Sequence, residues 1–202
     1  MIKRGSIKGS VFKFSMINIL VSVSIIAIIG SIFVQIFLPA RLYVDAQFHS
    51  ALELLESITA LFLATLILLL QKDKKINYYY TWIPCALISM SILNAFHAFS
   101  PQGNNLVWFH STAILIGGFL FAMVWLPQRF VPIRSYNKLF VITAIASIIL
   151  GAFSIIFSYL LPGMLNDSTF TSTARAFNIL GGLFFLSSTV YFIIDYRSEH
   201  NI

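Results

Sequence analysis

The sequence is poor in charge and in cysteine. Its 202 residues include only 13 Lys and Arg and 7 Asp and Glu, too few to cover the surface of a soluble domain of this length. The one cysteine, Cys85, cannot form an internal disulfide, and no Cys/His spacing is typical of a zinc ribbon or a redox pair. Walker, HExxH, GxSxG and helix-opening GxGxxG motifs are also absent. These absences argue against cysteine chemistry and confine any enzymatic role to a membrane.

Long apolar runs are abundant instead. Hydrophobic residues make up 58% of the chain and the mean hydropathy is +0.88. A hydrocarbon core about 30 Å thick needs roughly 20 helical residues, and six runs are long enough. They cover residues 14–38, 51–70, 79–99, 106–125, 139–161 and 176–196. The sequence therefore predicts an all-α integral membrane protein, with residues 1–202 forming a single six-helix domain and no soluble domain.

The distribution of basic residues predicts the orientation. Of the 13 Lys and Arg residues, only Arg41 and Arg175 fall on one side of the six predicted spans, and all the others fall on the opposite side. Basic residues near span ends are retained in the cytoplasm, so both termini are predicted to be cytoplasmic. The positive net charge then needs no nucleic acid to explain it. The basic segment before the first run, together with the length of that run, predicts an uncleaved signal anchor.

Ionisable residues inside the spans are the candidates for function, because each costs about 2.5–3.5 kcal/mol at a helix centre. Glu53 and Glu56 are drawn into the second span, His97 lies at the end of the third, and His110 lies near the start of the fourth. All are predicted to share the outer leaflet. Helical spacing adds further residues to this cluster. The predicted ligands are His49, Glu53, Glu56, Asn94, His97 and His110, with Asp45 extending the stripe and Asn94 orienting a ligand or a water.

Several chemistries fit this cluster. Mixed imidazole and carboxylate donors from His49, Glu53, Glu56, His97 and His110 suit Zn, Cu(II) or non-haem iron, and two histidines on different helices could hold a b-type haem. The same groups could titrate protons, or they could only fasten helices together. Gly117-Gly118 and Gly181-Gly182 predict close contacts between helices, and Cys85 is interpreted as a small core residue.

The stretch Met90-Ser91-Ile92-Leu93-Asn94-Ala95-Phe96-His97-Ala98-Phe99, followed by Val107-Trp108-Phe109-His110-Ser111 and Gly117-Gly118, resembles a known type of region. It is similar to the multi-spanning membrane-associated sensor regions of bacterial histidine kinases and diguanylate cyclases, over about residues 48–127. In that class an acidic residue commonly precedes the helix-end histidine by three positions. This chain has Asn94 there. The resemblance implies a signalling context and identifies no ligand.

Our leading hypothesis is therefore a sensory module of the bacterial cytoplasmic (inner) membrane, whose outer-leaflet His/Glu site binds a metal, haem or small ligand. Its partners would be the lipid bilayer, a second copy of the chain, and a cytoplasmic transmitter, either a kinase or a cyclase, acting in cis or in trans. Nucleic acid is not expected. The alternative is a small membrane metalloenzyme, haem enzyme or redox subunit that uses the same residues. An ion-coupled transporter and an assembly protein are further alternatives.

Overall fold

A computed structural model describes residues 46–73, 78–127, 136–166 and 169–200, together with Ile25, Ile26, Ile29 and Phe33. The chain divides into two units, Met1–Asp45 and Ala46–Ile202. In the first unit the four described residues have a helical conformation. The remainder of the predicted first span, 14–38, and the predicted stripe residue Asp45 lie outside the described residues.

The second unit consists mainly of five long helices. They are α1 (Ala46–Lys72), α2 (Trp82–Phe99), α3 (Asn104–Ala122), α4 (Tyr136–Ile156) and α5 (Ser172–His200). Each is long and apolar enough to cross a membrane. Five of the six predicted runs are thus confirmed as helices of spanning length. Short 3₁₀ turns precede α2 and follow α3 and α4, at Tyr78–Thr81, Met123–Trp125 and Ser158–Leu160.

Helix α2 lies at the centre of this unit and packs against α1, α3 and α4, while α5 packs against α3. Within its most apolar window, 56% of α2 is buried, compared with 11% of α1 and 11% of α5. Small and polar residues of α2, including Cys85, Ser89 and Asn94, occupy most of the buried positions. This composition allows three neighbouring helices to approach α2, since transmembrane helices associate through small side chains and interhelical hydrogen bonds.

The face of α1 that meets α2 repeats every seven residues. Ser57, Ala64 and Gln71 are buried, and the residues between them are mostly exposed. The Ser91 hydroxyl of α2 donates to the Ser57 carbonyl at 2.7 Å, and a Gln71–Thr81 contact of 3.5 Å joins the far end of the pair. The two helices therefore run antiparallel along a seam of small and polar residues.

Glycines set the contact between α3 and α5, as their sequence predicts. A Cβ placed on Gly118 would collide with the backbone oxygen of Gly181, and one on Gly181 would collide with the backbone of Ile114. Gly182 has no such neighbour. One glycine of each predicted pair therefore provides the close approach between these helices.

The connection between α4 and α5 differs from the prediction. Residues 139–161 were expected to form one helix, but α4 ends at Ile156, and the residue before Pro162 is extended, as proline favours. The predicted polar loop 162–175 contains a short antiparallel hairpin, Leu165–Asn166 with Thr169–Phe170. Helix α5 begins inside that range because the Thr171 hydroxyl accepts a hydrogen bond from the Ala174 amide, which caps the helix.

Candidate metal centre

The beginning of α1 and the end of α2 bring three of the predicted ligands together. His49 and Glu53 are one turn apart on α1, and His97 faces them from α2. The two histidine Nε2 atoms are 3.3 Å apart. Glu53 Oε1 lies 3.6 Å from Nε2 of His97 and 3.9 Å from Nε2 of His49. Two imidazoles and one carboxylate thus direct one donor atom each toward a common point, all within 4.8 Å of one another.

The orientation of the His97 ring is fixed by a hydrogen bond to α3. Its side chain is only 2% exposed, and its Nδ1–H donates to the carbonyl of Leu106, in the first turn of α3, at 2.7 Å. Because a carbonyl can only accept, this hydrogen bond places the proton on Nδ1 and leaves a lone pair on Nε2. Metal-ligating histidines are commonly fixed by such a bond to a carbonyl or carboxylate. The α3 backbone therefore selects the tautomer in which the Nε2 lone pair of His97 points toward His49 and Glu53.

The distances between these donors match a tetrahedral ion. Two imidazole nitrogens bound to one tetrahedral Zn²⁺ at the usual bond lengths lie about 3.3 Å apart. The His49 and His97 Nε2 atoms have this separation. The Glu53 oxygen lies slightly farther from both, at 3.9 Å from His49 Nε2 and 3.6 Å from His97 Nε2, near a third corner of the same tetrahedron.

The environment of the Glu53 carboxylate suits the binding of a cation. Its side chain is 12% exposed, and its Oε2 atom is buried without a hydrogen-bond partner among the described residues. A buried carboxylate oxygen without a partner is costly, and a bound cation would remove that cost. The Ser57 hydroxyl donates to the Glu53 backbone carbonyl at 2.9 Å, which satisfies this buried hydroxyl within its own helix.

The other predicted site residues lie around this group rather than within it. The His110 ring is exposed and its centroid lies 5.3 Å from that of His97. Glu56 is exposed on a neighbouring face of α1, where its Oε1 accepts a hydrogen bond of 3.3 Å from Nδ2 of the buried Asn94. Glu56 and Asn94 thus form a second polar pair one turn from the three-residue group.

The contribution of Leu106 was not predicted. Its functional atom is a backbone carbonyl, which any residue type carries, so the sequence contains no signal for it. No protein-family model matches this chain, and no curated protein or solved structure is significantly similar to it. The assignment of the centre consequently depends on its own geometry.

Proposed function

We propose that this chain is a membrane-embedded sensory module whose His49, Glu53 and His97 bind a transition-metal ion. The observation that carries the proposal is the convergence of two Nε2 atoms and one carboxylate oxygen, with the His97 tautomer fixed by Leu106. Borderline metals that accept nitrogen and oxygen donors suit this set, with Zn²⁺ first because of the tetrahedral separation.

The geometry favours an ion over a b-type haem. Two histidines that ligate one haem iron lie on opposite sides of it, so their nitrogens are about two metal–nitrogen bond lengths apart, about 4 Å. The observed separation of 3.3 Å and the Glu53 carboxylate beside both rings fit a smaller angle at the metal.

The sensory part of the proposal concerns placement and coupling. The basic residues predict that the centre lies in the outer leaflet of the bacterial inner membrane and that His200 lies on the cytoplasmic side. A metal bridging α1 and α2 would bias how these helices pack. The 3₁₀ turn before α2 contacts α5 through Tyr80 and Asp195, in the part of α5 that the basic residues predict to be cytoplasmic. A transmitter in cis or in trans would detect that change. The resemblance to membrane-associated sensor regions supports this context.

The test is metal content. The chain, purified in mild detergent, is incubated with Zn²⁺, Cu²⁺ or Fe²⁺, desalted, and measured by mass spectrometry alongside a visible spectrum. We expect one bound ion per chain in the wild type and loss of that ion in His97→Ala. Both proteins should elute as the same monodisperse species. A metal-free wild type at saturating ion would overturn the proposal, and a Soret band would replace it with haem binding.

A membrane metalloenzyme is the second candidate, and one observation favours it. Three protein ligands leave the fourth position of a tetrahedral ion for water or substrate, which is the usual arrangement in catalytic zinc sites. Glu53 and the two histidines would hold the metal, and the metal would act as a Lewis acid on a bound water. Zinc-dependent hydrolysis of a membrane-soluble ester that is lost in Glu53→Gln would favour the enzyme over the sensor.

A further inference from the structure

The first turn of α3 carries the carbonyl that orients His97, and this turn has no side-chain cap. Leu106, the third residue of α3, accepts the hydrogen bond from Nδ1 of His97 at 2.7 Å. The residue before the helix is Gly103, which makes no capping bond and whose φ of 130° lies in the region that favours glycine. Helix ends open more readily than helix interiors. The position of the Leu106 carbonyl therefore depends on contacts from outside α3.

The connection between α4 and α5, of which residues 157–166 and 169–171 are described, provides these contacts. Asn104, the first residue of α3, accepts a hydrogen bond from the Met164 amide through its side-chain oxygen. Its side-chain nitrogen donates to the Pro162 carbonyl at 3.2 Å. Because the amide group uses its oxygen and its nitrogen at the same time, neither alanine nor aspartate can replace both hydrogen bonds.

Apolar packing reinforces this attachment. The Met164 side chain is fully buried and lies in one cluster with Val107, the residue that directly follows Leu106. Thr171 closes the connection from its other end, since its hydroxyl donates to the Gly163 carbonyl at 2.7 Å and its amide donates to the Met164 carbonyl at 3.0 Å. The connection is thus a folded segment that is bonded to and packed against the first turn of α3.

From this series of contacts we infer that Asn104 is a positioning residue for the metal centre, and that the α4–α5 connection sets the metal affinity through it. The connection holds the first turn of α3, and this turn presents the Leu106 carbonyl. That carbonyl keeps the proton of His97 on Nδ1, which leaves Nε2 free to bind the ion. The inference rests on the proposed function, because the ion is the one that His97 binds.

The coupling has a regulatory consequence. Free-energy coupling between two sites is reciprocal, so an ion that fixes His97 also stabilises the attachment of the connection to Asn104. An event outside the membrane that separated the connection from Asn104 would weaken metal binding by the same factor. The connection would then control the release of the ion.

Three single substitutions in the full chain, purified in mild detergent, test the inference by competition with a fluorescent zinc chelator. Asn104→Ala removes both hydrogen bonds and should weaken Zn²⁺ binding about ten-fold, as expected for a residue that orients a ligand. Asn104→Asp keeps the acceptor for Met164 and loses the donor to Pro162, so its affinity should lie between those of Asn104→Ala and the wild type. Asn105→Ala is the matched control and should bind as the wild type does, because the Asn105 side chain forms no hydrogen bond with another described residue.

The tautomer of His97 distinguishes positioning from a general loss of stability. Nitrogen NMR of the ion-free chain, labelled at histidine, should show the Nδ1–H form of His97 in the wild type and in Asn105→Ala. Asn104→Ala should show a mixture with the Nε2–H form. This measurement needs no metal, and a substitution that only loosened the connection would not change it.

If Asn104→Ala does not yield a monodisperse protein, the wild type alone decides through the reciprocal effect. Saturating Zn²⁺ should slow hydrogen exchange of the Met164 and Thr171 amides by about the same factor as the substitution weakens binding. The Leu126 amide, which donates to the Met123 carbonyl beyond the opposite end of α3, is the control and should exchange at an unchanged rate.

Equal Zn²⁺ affinity in Asn104→Ala and Asn105→Ala, with an unchanged His97 tautomer, would overturn the inference. Zn²⁺ that slowed exchange of the Leu126 amide as much as that of Met164 would overturn it as well, because the ion would then stabilise the whole fold. A wild type that bound no ion would contradict the proposed function instead. The tautomer of the ion-free chain would still decide whether Asn104 positions His97.

Discussion

At the scale of single residues, the proposed centre depends on which face of α1 each glutamate occupies. Glu53 lies four residues before Ser57, on the buried seven-residue seam, whereas Glu56 lies beside that seam. Three residues turn an α-helix through about 300°, so the side chains of Glu53 and Glu56 point in directions about 60° apart. Two glutamates that the sequence places together therefore face different surroundings, the candidate metal group for Glu53 and the Asn94 amide of α2 for Glu56.

This difference predicts unequal effects of two matched substitutions. Glu53→Gln replaces a charged donor by a neutral amide and should weaken Zn²⁺ binding by at least about ten-fold, since even residues that only orient a ligand contribute this much. Glu56→Gln should leave the affinity nearly unchanged. Competition with a fluorescent chelator measures both. An equal loss of Zn²⁺ affinity in both variants would mean that Glu56 is also a ligand, as its position in the sequence suggests.

Cys85 offers a test of the central position of α2. Its side chain is fully buried in the second unit. We expect a membrane-permeant maleimide to leave the native protein unmodified and to label it completely in sodium dodecyl sulfate. As a control, a cysteine introduced at the exposed Lys72 should react in both conditions. Rapid labelling of native Cys85 would contradict the packing around α2.

At the scale of helices, adjacent glycines on α5 provide a matched pair. Gly181→Ala places a Cβ against the Ile114 backbone, and overpacking of this kind costs about 1–3 kcal/mol. Gly182→Ala meets open space and should gain about 0.5–1 kcal/mol of helix propensity. Thermal unfolding in detergent should therefore show a lower midpoint for the first variant and an equal or higher midpoint for the second. The same midpoint shift in both would contradict the close α3–α5 contact.

The helices themselves were predictable because length and apolarity decide whether a segment can span a bilayer. Their rotation was not, because α1 is apolar on every side and its seam consists of Ser57, Ala64 and Gln71 rather than of its most hydrophobic residues. Apolar periodicity carries no information about such a seam. The short hairpin at Leu165–Asn166 was also not predictable, since it depends on Asn104 of α3, whose side chain accepts from the Met164 amide and donates to the Pro162 carbonyl.

At the scale of the whole molecule, the number of crossings fixes the relative sides of the helix ends. Five crossings between Ala46 and His200 would place these two residues on opposite faces of the membrane. The basic residues predict that His200 is cytoplasmic and His49 is external. Reporter fusions that are active only in the cytoplasm or only in the periplasm, inserted after residue 45 and after residue 202, measure this. Activity of the same reporter at both positions would contradict five crossings.

The sensory proposal requires that metal at one end of α2 changes the other end, about 25 Å away along the helix. At that far end the Tyr80 hydroxyl donates to the Asp195 carboxylate at 2.5 Å, so α5 is connected to the start of α2. A ligand shifts a helix arrangement only by its difference in affinity for the two arrangements. Metal that bound both equally would stabilise the fold, by about 2.7 kcal/mol at a hundred times its Kd, without transmitting a signal.

Spin labels separate these two cases. With labels at Lys72→Cys and Arg197→Cys, both exposed in the structure, Zn²⁺ should change the distance distribution between α1 and α5. The change should be absent in His97→Ala and reduced in Tyr80→Phe, which loses the hydrogen bond to Asp195. A raised unfolding midpoint with an unchanged distribution would mean that the ion is structural or catalytic. A changed distribution that needs both His97 and Tyr80 would connect the metal centre to the end of the bundle where a transmitter would act.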